Sequence, residues 1–109
     1  MRIAALRDRL ILEQPARTPD GGGGAVLAWE PVAELWAGVR PLSGEERLAH
    51  DQVAGRLTHA VWLRHRSGVV PAMRLRQGTG MSVRIYDIVA VLENSSRTYL
   101  KCLCEERSL

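Results

Sequence analysis

The sequence predicts an all-β (mainly β) domain, a small antiparallel β-barrel or sandwich with one short helix inserted in a long loop. Three observations lead there. Six or seven short runs alternate apolar and polar residues, glycine-bearing turns separate them, and a single segment carries helix start and stop signals. With 109 residues and 46% apolar content, residues 1–109 are expected to form one domain that buries roughly 65% of its unfolded surface. Residues 42–56 are expected as an excursion from its sheet.

Residues 6–14, LRDRLILEQ, read as a first strand after an arm of about five residues. The stretch Pro15–Gly24, PARTPDGGGG, reads as a turn or loop, because prolines stop regular structure and four successive glycines are costly to order. Residues 25–34 supply the partner strand, with Pro31 at an edge or a bend because it cannot donate to a ladder. Residues 35–41 are strand again, with Leu35, Ala37 and Val39 on one face and Trp36 and Arg40 on the other. Trp29 and Trp36 are expected as core or interface anchors, given the area a tryptophan buries.

The helix signal follows. In Ser43-Gly44-Glu45-Glu46 a Ser hydroxyl at the N-cap can accept from the backbone three residues on, while Glu46 reaches back to the cap's own N–H. A helix is therefore expected from about residue 44, ending at Gly55 in a left-handed conformation. Its apolar positions are few (Leu48, Ala49, Val53), too few for a wide buried stripe, so it should sit at an edge or protrude. An excursion of this size between two strands usually carries function.

Residues 57–66 and 72–77 are expected to form a second hairpin around Ser67–Pro71. Val61, Leu63, Met73 and Leu75 would face in, and Trp62, Arg64, Arg66, Arg74 and Arg76 out. Four arginines on one patch are best tolerated if something anionic faces them, since like charges opposite each other on a sheet cost roughly 0.2–1 kcal/mol per pair. A solvated basic face is the alternative. Residues 82–92 form the longest apolar strand, with Val83, Ile85, Val89 and Val91 on one face and Tyr86, Ile88 and Leu92 on the other. Residues 98–106 close the chain with Leu100, Cys102 and Cys104 inward and Tyr99, Lys101 and Glu105 outward.

Several function classes find little support. The net charge of +3 is ordinary and too mild to indicate a nucleic-acid binder. Nearly all the positive charge is arginine, which suits bidentate contacts to carboxylate or phosphate and also follows from a GC-rich genome. No apolar run approaches the roughly 18–20 residues of a membrane span, and MRIAALRDRL lacks a signal-peptide core, so the chain is expected to stay in the cytoplasm when made. Cys102 and Cys104 share a strand face at poor disulfide geometry and fit small core residues. Neither they nor His50, His59 and His65 fall at metal-ligand spacing. His50 and Asp51 point apart on a helix, and His59 and His65 are about 20 Å apart by strand rise. There is no phosphate loop and no nucleophile elbow. No enzyme activity and no cofactor are expected.

Several segments, in this order, resemble one family. They are LRDRLILEQP, a glycine turn followed by Trp29, ELWAGVRPLSGEE, LTHAVWLRHRSGVVPAMRLR and RIYDIVAVLEN. The third is similar to a W-A-x-V-x-P-L-S-G-x-E segment, the fourth to T-H-x-V-x-x-R-Y before a turn and a returning strand, and the last to a Y-x-I strand. The chain thereby resembles the phage head–tail joining family, the head-closure or stopper proteins of long-tailed phages and gene transfer agents. The resemblance implies a β-barrel that assembles as a ring of copies of itself. Portal and adaptor proteins would lie on the head side, tail terminator or tail tube proteins on the tail side, and double-stranded DNA would pass through the lumen without sequence specificity. It implies assembly in the bacterial cytoplasm, then a place in the virion or phage-like particle, with no cofactor and no membrane. The candidate assembly residues are Ser43, Glu45, Glu46, Arg47, Leu48 and Asp51 on the excursion, and Trp62, Arg64, Arg66, Arg74 and Arg76 on the strands. Two other readings stay open: a sibling connector component, either adaptor or tail terminator, and a small β-barrel nucleic-acid module using Trp62 and the arginines.

Overall fold

A computed structural model describes residues 5–49 and 56–107. Six strands follow one another as β1 (Asp8–Pro19), β2 (Ala25–Pro41), β3 (His59–Arg64), β4 (Arg74–Gln77), β5 (Arg84–Glu93) and β6 (Tyr99–Arg107). A short helix α1 (Gly44–Ala49) lies between β2 and β3. The strands close into an antiparallel barrel in the order β1-β2-β3-β6-β5-β4, with β4 pairing back to β1 through Ile11–Arg76, Leu12–Leu75 and Glu13–Arg74.

The period-two alternation fills the interior. Leu10, Leu12, Ala37, Val61, Leu63, Leu75, Tyr86, Ile88, Leu100, Cys102 and Cys104 converge there, and Val69 and Met73 join them from the β3–β4 connection. Both cysteines are free and buried, as small core residues, and burial pushes the Cys102 thiol up to about 12. A second apolar cluster lies on the outer face, where Ala60 and Leu103 are register partners and Leu42 and Leu57, flanking the excursion, pack over them. The root of the excursion is thus fastened to the barrel wall by apolar contact.

Three expectations need correction. First, β1 does not stop before Pro15 but continues to Pro19, so the turn shrinks to residues 20–24. Past Glu13 β1 pairs with β2 alone, and prolines are tolerated on a strand with a free edge. Second, β3 and β4 are not a hairpin: β3 lies between β2 and β6, and β4 between β5 and β1. The connection of residues 65–73 buries Val69 and Met73 in the core, which carries the chain over the barrel mouth instead of straight back. Third, the register of β5 shifts between Ile88 and Ala90. Tyr86 and Ile88 face the core before this bulge and Val91 packs against it afterwards, so no single face assignment holds along the strand. The bend expected at Pro31 is present: Leu12 pairs with Ala33 and Glu13 with Pro31, leaving Val32 as the extra residue of a bulge.

Candidate assembly surfaces

The capping box forms as the sequence dictates. The Glu46 N–H donates to Ser43 Oγ at 3.1 Å, and the Ser43 N–H donates to Glu46 Oε1 at 3.2 Å. Glu46 also accepts both arms of the Arg40 guanidinium, at 2.7 and 3.0 Å, and lies 3.6 Å from Lys101 Nζ. The Arg40 hydrogen bond, aided by the Ser43 N–H, holds the Glu46 carboxyl well below the usual carboxylate range, and the same bond raises Arg40. A helix with few apolar residues is therefore moored to β2 and β6 by charge. Glu45 and Arg47 on the same turn are exposed. Asp51 and the expected helix end at Gly55 lie outside the described residues, as does the side chain of Leu48.

Trp62 stands on the outer face, as the alternation predicts, yet only 6% of it is exposed. Its register partners are Gly38, which has no side chain, and Lys101, whose Nζ lies 5.1 Å from the indole centroid. Lys101 is in turn drawn to Glu46, so Trp62 is covered by a chain of contacts that ends in α1. This indole is part of the mooring and offers no free stacking face.

The expected cluster of four arginines divides into two pairs on different parts of the barrel, because β3 and β4 are not neighbours. Arg74 and Arg76 clamp Glu13, with Nε–oxygen distances of 2.7 and 3.2 Å, and Arg74 stacks 4.3 Å from the centroid of Trp29. Glu13 is 5% exposed, the one buried charged residue among those described. The anion these two arginines need thus comes from their own chain. Arg64 and Arg66 have no carboxylate partner among the described residues; Arg66 bonds only the Ser67 carbonyl, at 3.4 Å. Arg64 separates two shallow clefts, one lined with Leu6 and Trp36, the other with His65, Arg97, Thr98 and Tyr99. Trp36, which the sequence allowed as a core anchor, is 52% exposed under the Arg9 guanidinium.

Of one further element the sequence showed a single strand, the start of β2 from residue 25, and missed its partner. Beyond Glu13 and Pro31, β1 and β2 continue as a two-stranded ribbon with which no other described strand pairs. Val26 (57% exposed) and Leu27 (47%) stand on it in solvent. Its glycine tip is organised by Asp20, whose Oδ1 accepts from Gly22 at 2.8 Å and Gly24 at 3.2 Å. The signal was present in the alternation of Ala25–Trp29, but Pro15 and Pro19 masked its partner.

Among the described residues no three His, Cys, Asp or Glu side chains gather as metal ligands, and no helix is long and apolar enough to cross a membrane. The chain superposes with a TM-score of 0.82 on the solution structure of protein SF1141 from Shigella flexneri 2a, at 30% identity over 99% of this chain and 98% of that one. It also matches a chain in the virion of a native gene transfer agent particle, with a TM-score of 0.65 and 31% identity over 100% and 99% of the two chains. The comparison with curated proteins gives no match. The phage head completion protein family matches residues 1–107. With the match spanning nearly the whole barrel and both of its appendages, the chain belongs to the phage head completion protein family.

Proposed function

We propose that this protein closes the filled head at the head–tail joint, as one copy in a ring that receives portal or adaptor proteins on one side and tail terminator or tail tube proteins on the other. It acts as a structural part and not as an enzyme. The observation that carries the reading is the family match over residues 1–107, joined to a full-length likeness to a chain of a gene transfer agent virion. The geometry supports it in two ways. The barrel interior is packed with side chains, so no duplex passes through a single copy, and a DNA lumen requires several copies around an axis. The two appendages leave from opposite ends of β2, the ribbon tip before Ala25 and α1 after Pro41, which gives one copy a distinct contact at each end. Assembly takes place in the bacterial cytoplasm, and the product is carried in the particle.

The nucleic-acid module loses its platform: Trp62 is covered and the arginines are divided. The connector reading is tested by deleting the gene and examining particles by electron microscopy. Tailless heads that lose packaged DNA, restored by the protein in trans, are expected. Normal tailed particles would refute it. A gel shift across a salt series separates the nucleic-acid module, because a phosphate binder loses affinity steeply as salt rises.

A further inference from the structure

The β1–β2 ribbon and the Arg64 face are each incomplete, in complementary ways. Six residues of β1, Gln14–Pro19, extend past the last rung shared with β4, an overhang of about 20 Å at the usual strand rise. Apolar side chains stand on both of its faces, Val26 with Ala28 on one and Leu27 with Trp29 on the other. A two-stranded ribbon is marginal by itself in water, and among the described residues it is held to the barrel at its base, where Arg74 stacks on Trp29. Its carboxylates are Asp20, engaged by the tip, and Glu30, whose side chain accepts from Gln14 at 3.3 Å and has no cationic partner among the described residues. Arg17 is its one base, and the rest of the chain carries the excess of positive charge.

The Arg64 face offers what the ribbon lacks. It has an exposed indole, Trp36, beside Arg64, a cation with no carboxylate partner among the described residues. The two surfaces cannot meet within one copy, because the ribbon is continuous with the strand that carries Trp36 and runs away from it.

We propose that in the assembled connector the ribbon of one copy lies across the Arg64 face of the next, with Val26 against Trp36 and Glu30, on the same ribbon face as Val26, paired with Arg64. The inference rests on the ring reading and specifies its subunit contact. The two surfaces differ, so the contact is heterologous and propagates head to tail until the rotation closes. One face of a ribbon about 20 Å long and two strands (about 10 Å) wide falls well short of the roughly 800 Å² per partner of a stable interface. Association is therefore weak in free solution and becomes firm where neighbouring copies are held on the head.

Cysteine cross-linking in assembled particles tests it. Cys102 and Cys104 are buried and do not compete. A chain bearing both Val26→Cys and Trp36→Cys is expected to give a covalent ladder of dimers, trimers and higher species after oxidation, while each single variant stays monomeric. Glu30→Arg is expected to lower the yield of tailed particles at least tenfold, and Arg64→Glu in the same chain to restore it. Dimers from Val26→Cys alone would place ribbon against ribbon and overturn the proposal. So would a cross-link from the ribbon to a different virion protein, or no cross-link in particles shown by immunolabelling to hold the protein at the head–tail joint. Absence of the label from that joint would instead defeat the ring reading itself.

Discussion

Replacing Glu13 should be the most damaging single charge deletion in the molecule. Its carboxylate is buried and bonds two guanidiniums at 2.7 and 3.2 Å; removing it leaves Arg74 and Arg76 side by side on one strand, with side chains only 14% and 25% exposed. Breaking a buried pair by deleting one partner costs about 3–5 kcal/mol because an uncompensated charge stays behind. Arg76 can turn partly to water, which places Glu13→Ala near the lower end, at about 3 kcal/mol. At about 4–8 °C per kcal/mol for a domain of this size, the melting midpoint should fall by about 12–24 °C, read by circular dichroism at fixed pH and salt. Glu13→Gln retains an acceptor and should cost about half as much. The triple variant Glu13→Leu, Arg74→Met, Arg76→Met removes all three charges and should return to within about 1 kcal/mol of the parent. A loss below about 1 kcal/mol for Glu13→Ala would mean that the cluster behaves as an ordinary solvated ion pair, and the assignment of Glu13 as the internal partner of these arginines would be wrong.

Four further outcomes follow from the mooring of α1 and from the barrel core. Ser43→Ala should cost about 0.5–2 kcal/mol of helix order, seen as faster amide exchange over Glu45–Ala49, while the barrel melts almost unchanged. Because the Glu46 pKa is lowered in the fold, its stabilisation is complete above the reference value of 4.5 and is lost as pH falls below it; amide shifts of α1 should therefore move in acid, and Glu46→Gln should abolish that movement. Trp62→Ala should destabilise the whole barrel by about 3–5 kcal/mol in urea, a loss that a surface indole would not produce. His59 sits against Tyr86, and its burial outweighs the pull of Glu106 3.9 Å away, so its pKa is lowered; folding should weaken as pH drops below the reference value of 6.5, and less so in His59→Gln, by thermal melts across a pH series.

Local signals in this sequence were legible wherever the physics is local. The capping box at Ser43 and Glu46, the inward triplet Leu100, Cys102 and Cys104, and the bend at Pro31 all follow from contacts within a few residues. What the sequence hid depends on partners far along the chain. Pro15 reads as a stop until it is known that β1 has no second neighbour there. Arg74 and Arg76 read as an open basic patch until Glu13, 61 residues away in sequence from Arg74, is brought between them. Trp62 reads as exposed by strand parity, and only the arrangement of Lys101 and Glu46 above it shows why it is buried. Met73 was read as inward, but Val69 was the missed warning that residues 65–73 enter the core.

The ribbon's direction is set at a single rung. Leu12 is the last residue of β1 in the core; the next residue, Glu13, is the last to pair with β4, and it is there that the β1–β2 register slips past Val32. A bulge sharpens the local twist and turns a strand pair away from its former path. The Glu13 clamp ties that rung to β4 through two arginines, one of them stacked on Trp29 at the base of the ribbon. The overhang is thus anchored by a charge cluster where the apolar core ends, and it is presented in one direction even though its far half pairs with no third strand among the described residues. Such preorganisation reduces the ordering cost of docking, estimated at about 0.5–1.5 kcal/mol for each immobilised flexible side chain, and that saving matters most for a contact too small to hold two free copies together.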